Sequence, residues 1–288
     1  MSRVSEYYRL AKPGIVYGNL LTTIAAFFFA RGYELPGALG IFVATAFGIS
    51  LVIASACVFN NYLDRDMDRM MKRTKNRALV TGAISVRSAL AYGMVLGLAG
   101  LALLILYVNV LTAAIALFGF ISYVAVYSSM KRSSPLAALV GSIPGAVPIV
   151  VGYTAVTGHL DLIAGILFLI LAAWQMPHFY AIALYRLEEY AAAKVPTFAV
   201  VKGVRATKIH LFAYLVLFFL ASLSLGFGGH VHFVYLAVMF VASSLWLYKA
   251  AQGFTTKEDA RWAKSVFRFS LIVLLVFCAA ISLAPFVP

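Results

Sequence analysis

The sequence predicts an all-α integral membrane protein with nine transmembrane helices in a single domain, residues 1–288. Three observations carry that expectation. Hydrophobic residues make up 63% of the chain and charged residues 11%, too much apolar surface for a water-soluble core of ordinary proportions. The apolar residues fall into stretches of about 17 to 25, the length a helix needs to cross a bilayer. The cations between these stretches collect at alternate ends.

The first predicted span, 14–30, follows Lys12-Pro13 and lacks a small-residue cleavage site, so no cleavable signal peptide is expected. The second, 38–60, is uncharged from Ala38 to Phe59 and runs into a polar segment. The third and fourth, 86–107 and 109–129, meet near Tyr107 to Val110. The fifth, 136–157, carries Pro144 and Pro148 with Gly141, Gly145 and Gly152, which predicts a kinked or closely packed helix, or an unwound segment beside a cavity. The sixth, 162–185, ends in a second polar cluster; the seventh to ninth are 208–227, 231–248 and 267–287. No Pro-, Ser- or Gly-rich linker divides the chain. Cys57 and Cys278 both fall in spans, where packing is the expected role.

Sorting the 23 Lys and Arg by span end puts 22 on one side and Arg31 alone on the other. The positive-inside rule then places the N-terminus in the cytoplasm, the C-terminus outside, and the polar clusters at the inner face, as for a bacterial cytoplasmic (inner) membrane protein. The same asymmetry supports the span count, since one helix more or fewer would scramble it. It also accounts for the +13 net charge without nucleic acid; membrane lipid is the expected neighbour.

The polar segment after span two reads NNYLDRDMDRMMKRTKNR, from Asn60 to Arg77. Asn60, Asp64 and Asp68 are spaced i, i+4, i+8, a stripe that drifts about 40° per step on a helix. Asp66 lies roughly 200° round the helix from Asp64 and is expected to be solvated or salt-bridged. The second cluster, WQMPHFYAIALYRLEEYAAAKVP from Trp174 to Pro196, places His178, Tyr185 and Glu189 at near-helical spacing on the same membrane face. Carboxylates and an amide oxygen are hard ligands suited to Mg²⁺, whose shell is completed by waters and substrate phosphate oxygens. Lys72, Arg73, Arg77, Lys194 and Lys202 then answer the remaining phosphate charge, Arg through its bidentate fork. A prenyl chain attached to that diphosphate would lie among apolar helices.

These residues resemble the UbiA superfamily of intramembrane prenyltransferases, whose first aspartate-rich motif matches Asn60, Asp64, Asp68 and the KRTKNR run at 72–77. Many members have D-x-x-x-D in the second motif, where this chain has Tyr185 and Glu189. With WQMPHF at 174–179, YRLEEY at 185–190 and KPGIVYGN at 12–19, that departure is similar to the protoheme IX farnesyltransferase (heme O synthase) family, in which the last acidic position is commonly Asp. The resemblance covers nearly the whole chain. It implies a helical bundle around a central cavity open to the cytoplasmic side. It also implies transfer of farnesyl from farnesyl diphosphate to a vinyl group of protoheme IX (heme b), with water addition, giving heme O. Protoheme is then a substrate and a divalent cation, Mg²⁺, the cofactor. Asn60, Asp64, Asp68 and Glu189 are the expected metal ligands, Tyr185 orients one of them, and Arg186 joins the substrate-binding cations. A heme-receiving oxidase or heme-modifying enzyme is an implied partner.

His178 lies inside a span, where a titratable group is costly and often functional; heme-iron ligation, a propionate contact and a helix hydrogen bond all remain open. His159, His230 and His232 fall at the outer face and His210 begins span seven, with structural or surface roles expected. Two other functions compete. One is a UbiA-type prenyltransferase for an aromatic acid or quinone precursor, against which Tyr185 and WQMPHF argue. The other is a non-enzymatic transporter or heme-handling protein, whose polar sites are expected near the bilayer midplane.

Overall fold

The computed structural model describes residues 2–32, 37–227 and 229–286; residue 287, the end of the predicted ninth span, lies outside them. Its helices are α1 (Arg3–Leu10), α2 (Pro13–Arg31), α3 (Leu39–Leu63), α4 (Arg65–Met70), α5 (Ala78–Thr81), α6 (Val86–Tyr107), α7 (Val110–Ile121), α8 (Ser128–Met130), α9 (Ala137–Thr157), α10 (Leu162–Tyr185), α11 (Leu187–Ala192), α12 (Phe198–Ser224), α13 (Phe233–Ala251) and α14 (Asp259–Leu283). Nine helices among the described residues are long and apolar enough to cross a membrane, α7 and α8 joining through a π-helical turn as one of them.

The predicted boundaries agree closely for the first six spans and depart at the seventh and ninth, which begin at Phe198 and Asp259. There the helix runs beyond the apolar stretch through turns bearing Lys202, Arg205, Arg261 and Lys264. A helix satisfies its own backbone in water as well as in lipid, so hydropathy alone does not mark its end. Gly203, at φ +81°, breaks the regular turn inside α12. Between α6 and α7 the chain reverses in two residues: Asn109 Oδ1 accepts the Thr112 N–H at 2.7 Å, and its amide donates to the Thr154 carbonyl at 3.1 Å. That side-chain cap separates two spans that are continuous in hydropathy.

The helix α9 is the most buried span and packs against both α2 and α10. Small residues let it sit there. The Thr23 hydroxyl donates to the Pro148 carbonyl at 2.9 Å, and Gly152 has no Cβ to strike the Thr23 carbonyl. Close packing is thus the use of the Pro- and Gly-rich fifth span. A second close pair joins α3 to α6, where a Cβ on Gly100 would lie 2.6 Å from the Gly48 carbonyl. Cys57 and Cys278 are buried and unpaired.

Candidate active site

The Asn60 stripe forms as its spacing predicts. Helix α3 ends at Leu63, but Asp64 N–H bonds to Asn60 O and Asp68 N–H to Asp64 O, each at 2.8 Å, so the helical register carries through the junction into α4. Asn60, Asp64 and Asp68 are 1%, 1% and 3% exposed. Asp66, by contrast, is exposed and pairs loosely with Arg65 at 3.8 Å.

Burying two carboxylates requires compensation, and cations from distant segments supply it. Lys131 Nζ is 2.7 Å from Asp64 Oδ2, and Arg77 is 2.6 Å from Asp68 Oδ2. The same Arg77 nitrogen donates to Asn61 Oδ1 at 3.0 Å, and Asn61 in turn donates to the Leu10 carbonyl at 2.7 Å. Lys12 donates to Asn60 Oδ1 at 2.5 Å, while the Asn60 amide donates to Ser128 Oγ at 3.0 Å. Arg132 donates to the Leu63 carbonyl. Burial pushes the Lys12 ammonium down to about 8, with Arg77 and Lys131 pulling the same way. Burial also pulls Lys131 down, but the nearby Tyr127 and Asp64 more than offset it, so Lys131 lies above the ordinary lysine value and stays charged.

The π-helical turn Ser122–Tyr127 shapes the facing wall. The Ser128 hydroxyl donates to the Tyr123 carbonyl at 3.0 Å, and the Tyr123 and Tyr127 rings stack at 5.4 Å. Such turns re-aim side chains at functional sites.

Asn60, Asp64, Asp68, Lys12, Arg77, Lys131, Tyr123 and Tyr127 line a cavity of about 360 Å³ whose wall also includes Arg73, Tyr185, Arg186 and Tyr190. The two polar clusters therefore meet. Lys12, Arg73, Arg77, Lys131 and Arg186 face Asp64 and Asp68, an excess of positive charge in one pocket. A second cavity of about 400 Å³, lined mostly by apolar side chains of α2, α3, α9, α10 and α14, shares Ile15, Tyr123, Tyr127 and Phe179 with the first. A charged chamber thus adjoins an apolar one, with Tyr123, Tyr127 and Phe179 in both walls.

The second motif is arranged differently from its spacing. Helix α10 stops at Tyr185 and Arg186 leaves helical geometry (φ −114°, ψ 21°), so Tyr185 and Glu189 sit on different helices. The Tyr185 hydroxyl accepts from Arg186 Nε at 2.8 Å instead of orienting a carboxylate, and the guanidinium stacks over the Tyr185 ring. Glu189 Oε2 takes Arg186 at 3.1 Å; Arg186, not Glu189, is in the cavity wall. Lys72, Lys194 and Lys202 are exposed and outside that wall. His178 lines the apolar cavity.

Lys12, Lys131, Asn61, Ser128, Tyr123 and Tyr127 were not singled out as site residues by sequence reasoning. Lys12 and Lys131 carry a sequence signal, charge at a span end, but it is the same signal that sets topology.

A family model described as the UbiA prenyltransferase family matches residues 19–272. The chain belongs to the UbiA prenyltransferase family. It is 44% identical over 286 residues to a protoheme IX farnesyltransferase from Photorhabdus laumondii, covering 99% of this chain and 97% of that one. It is also 46% identical over 272 residues to a protoheme IX farnesyltransferase from Yersinia enterocolitica, covering 94% and 91%. Among solved structures, a digeranylgeranylglyceryl phosphate synthase superposes with a TM-score of 0.82 at 17% identity, covering 99% of each chain. A UbiA homolog from Archaeoglobus fulgidus bound to GPP and Mg²⁺ superposes with a TM-score of 0.69 at 17% identity, covering 96% and 99%. These two share the fold of this chain, whose described residues hold the nine candidate spans predicted from the sequence.

Among the described residues, no three His, Cys, Asp or Glu side chains come together as a ready-made metal cage. Mg²⁺ is commonly held by one or two carboxylates and completed by substrate phosphates. In the chamber wall the donor set fits it at Asp64, whose Oδ1 is buried without a partner.

Proposed function

We infer that the chain is a protoheme IX farnesyltransferase: it transfers farnesyl from farnesyl diphosphate to a vinyl group of protoheme, water supplies a hydroxyl, and heme O and diphosphate are released. The observation that carries this reading is the pairing of a cation-rich chamber with an adjoining apolar one, in a chain so similar to named protoheme IX farnesyltransferases. A diphosphate head and a prenyl tail need those two environments side by side.

Asn60, Asp64 and Asp68 would hold Mg²⁺, and Glu189, outside the cavity wall, would act through its ion pair with Arg186. When bound, the ion neutralises charge on the departing diphosphate. Arg73, Arg77, Arg186, Lys12 and Lys131 take the remaining phosphate charge, and because they are already in place they favour the state in which that charge has developed. The bond from the allylic carbon to the diphosphate oxygen breaks, and the electron pair leaves with the diphosphate. Tyr123, Tyr127 and Phe179, at the junction of the chambers, face the resulting cation and steady it by cation–π attraction. The apolar wall keeps water from the tail. The vinyl carbon of protoheme attacks the cation, and water then captures the positive centre beside the porphyrin and releases a proton to solvent.

The cation sorting supports a site at the cytoplasmic face of the inner membrane, and a heme-accepting oxidase or heme-modifying enzyme would receive the product. Mass spectrometry of hemes extracted from cells with and without the chain tests the reading. The expected result is a mass gain of one farnesyl group plus one hydroxyl; a protein that prenylates 4-hydroxybenzoate and ignores protoheme would overturn it.

A further inference from the structure

The diphosphate chemistry leaves unused a hydrogen-bonded corner of the apolar cavity between α10 and α14. His178 Nδ1 lies 2.7 Å from Ser270 Oγ, and Ser270 Oγ lies 2.6 Å from the Phe267 carbonyl oxygen. A carbonyl only accepts and a serine hydroxyl has one hydrogen, so that hydrogen goes to Phe267. The contact with His178 then needs a proton on Nδ1.

The ring is held in other ways as well. It stacks on Trp174 at 4.9 Å and 26°, and lies 4.9 Å from the Phe267 ring. Trp174 Nε1 donates to the Ser270 carbonyl at 2.9 Å. One short stretch of α14 therefore fixes both Trp174 and His178 of the sixth span. Among the described residues the imidazole meets Ser270, Trp174, Phe179 and Phe267, none of them charged. With the proton on Nδ1, the lone pair is on Nε2, which has no protein partner among the described residues.

We propose that Ser270 is a positioning residue that locks His178 in the Nδ1–H tautomer, leaving the Nε2 lone pair as an axial ligand for the iron of the protoheme substrate. The tautomer assignment stands on the hydrogen bonds alone; the ligand identity rests on the reading that protoheme is the acceptor. An N–H to a fixed acceptor is a common means of orienting a metal-binding imidazole and raising its basicity. Ser270 is fully buried and is not in the wall of the charged chamber, so it acts through His178.

The test uses the full chain in detergent, with ¹⁵N-labelled histidine, and ferric protoheme as the probe. The His178→Gln variant assigns the His178 signals. In the wild type, Nδ1 is expected to resonate as a protonated nitrogen and Nε2 as an unprotonated one, and bound protoheme to show an axial nitrogen ligand in its electron paramagnetic resonance spectrum. Ser270→Ala keeps the Trp174 bond to the backbone, so the fold should hold. It is expected to give a mixture of tautomers and to weaken protoheme binding by about 10- to 100-fold. Protonation on Nε2 in the wild type, or unchanged protoheme affinity in Ser270→Ala, would overturn the proposal. Heme O formation without any histidine ligation would overturn the proposal and leave the proposed function standing, whereas a wild type that neither binds protoheme nor makes heme O takes both down.

Discussion

Lys131 Nζ lies 2.7 Å from Asp64 Oδ2, across 67 residues of sequence, while Oδ1 of the same carboxylate is buried without a partner. The pair fills one half of the carboxylate with protein and leaves the other half for a ligand. It also divides Asp64's contribution into two separable parts, stability and chemistry.

Asp64→Asn is expected to lower turnover at least about 100-fold, the loss typical when preorganised charge is removed from a transition state. It also strands the Lys131 ammonium, costing about 3 kcal/mol, the low end for breaking a buried pair because Lys131 is partly exposed. The double variant Asp64→Asn with Lys131→Met should regain stability in thermal unfolding without regaining turnover. Recovery of both would mean that the carboxylate matters only as a counter-ion.

Arg77 bridges Asp68 and Asn61 from a single nitrogen. Arg77→Lys keeps the charge but loses the planar fork. The KM for farnesyl diphosphate should rise by about 10-fold, the cost of roughly one charge-assisted hydrogen bond, with a smaller change in kcat. Steady-state kinetics at saturating protoheme would check the split. Lys72→Ala and Lys194→Ala, both at exposed residues outside the cavity wall, should change neither constant by more than about 2-fold.

Chelation of divalent ions should stop turnover, and added Mg²⁺ should restore it. The proposed binding of Mg²⁺ at Asp64 Oδ1 would select the folded state: thermal unfolding is expected to shift upward with Mg²⁺ in the wild type and to lose that shift in Asp64→Asn.

At the opposite face, Asp161 caps α10. It accepts the Ala164 N–H at 2.9 Å and the Tyr153 hydroxyl at 2.7 Å. Burial raises its pKa, but these bonds and nearby His159 outweigh that, so the carboxyl lies below its ordinary value. A depressed carboxylate contributes stability that is fully present above the unfolded pKa and is lost as pH falls through the folded one. Asp161→Ala should therefore cost about 1 kcal/mol at neutral pH, and the gap to wild type should narrow below the ordinary aspartate range. Unfolding curves at pH 7 and in acid would measure it.

The nine spans and the Asn60, Asp64, Asp68 stripe were legible in the sequence because both depend on local periodicity, which the helix imposes directly. The Tyr185 and Glu189 spacing misled for the same reason: it presumes an unbroken helix, and the chain leaves helical geometry at Arg186. Lys12 and Lys131 were legible only as charges at span ends. Their contacts with Asn60 and Asp64 cross 48 and 67 residues, and such contacts are set by how α2, α3 and the turn after α8 pack, which no local pattern encodes. Ser270 was hidden likewise, as an ordinary serine in an apolar span until α14 is laid against α10.

The most direct test of the central claim, that Asp64 and Asp68 sit in a shared chamber that activates a prenyl diphosphate, is heme O formation in membranes carrying wild type, Asp64→Asn or Asp68→Asn. Protoheme, farnesyl diphosphate and Mg²⁺ are supplied, and the product is read by mass spectrometry. The account predicts robust farnesylation by wild type and at least about a 100-fold loss in each variant. Full turnover by both variants would contradict it.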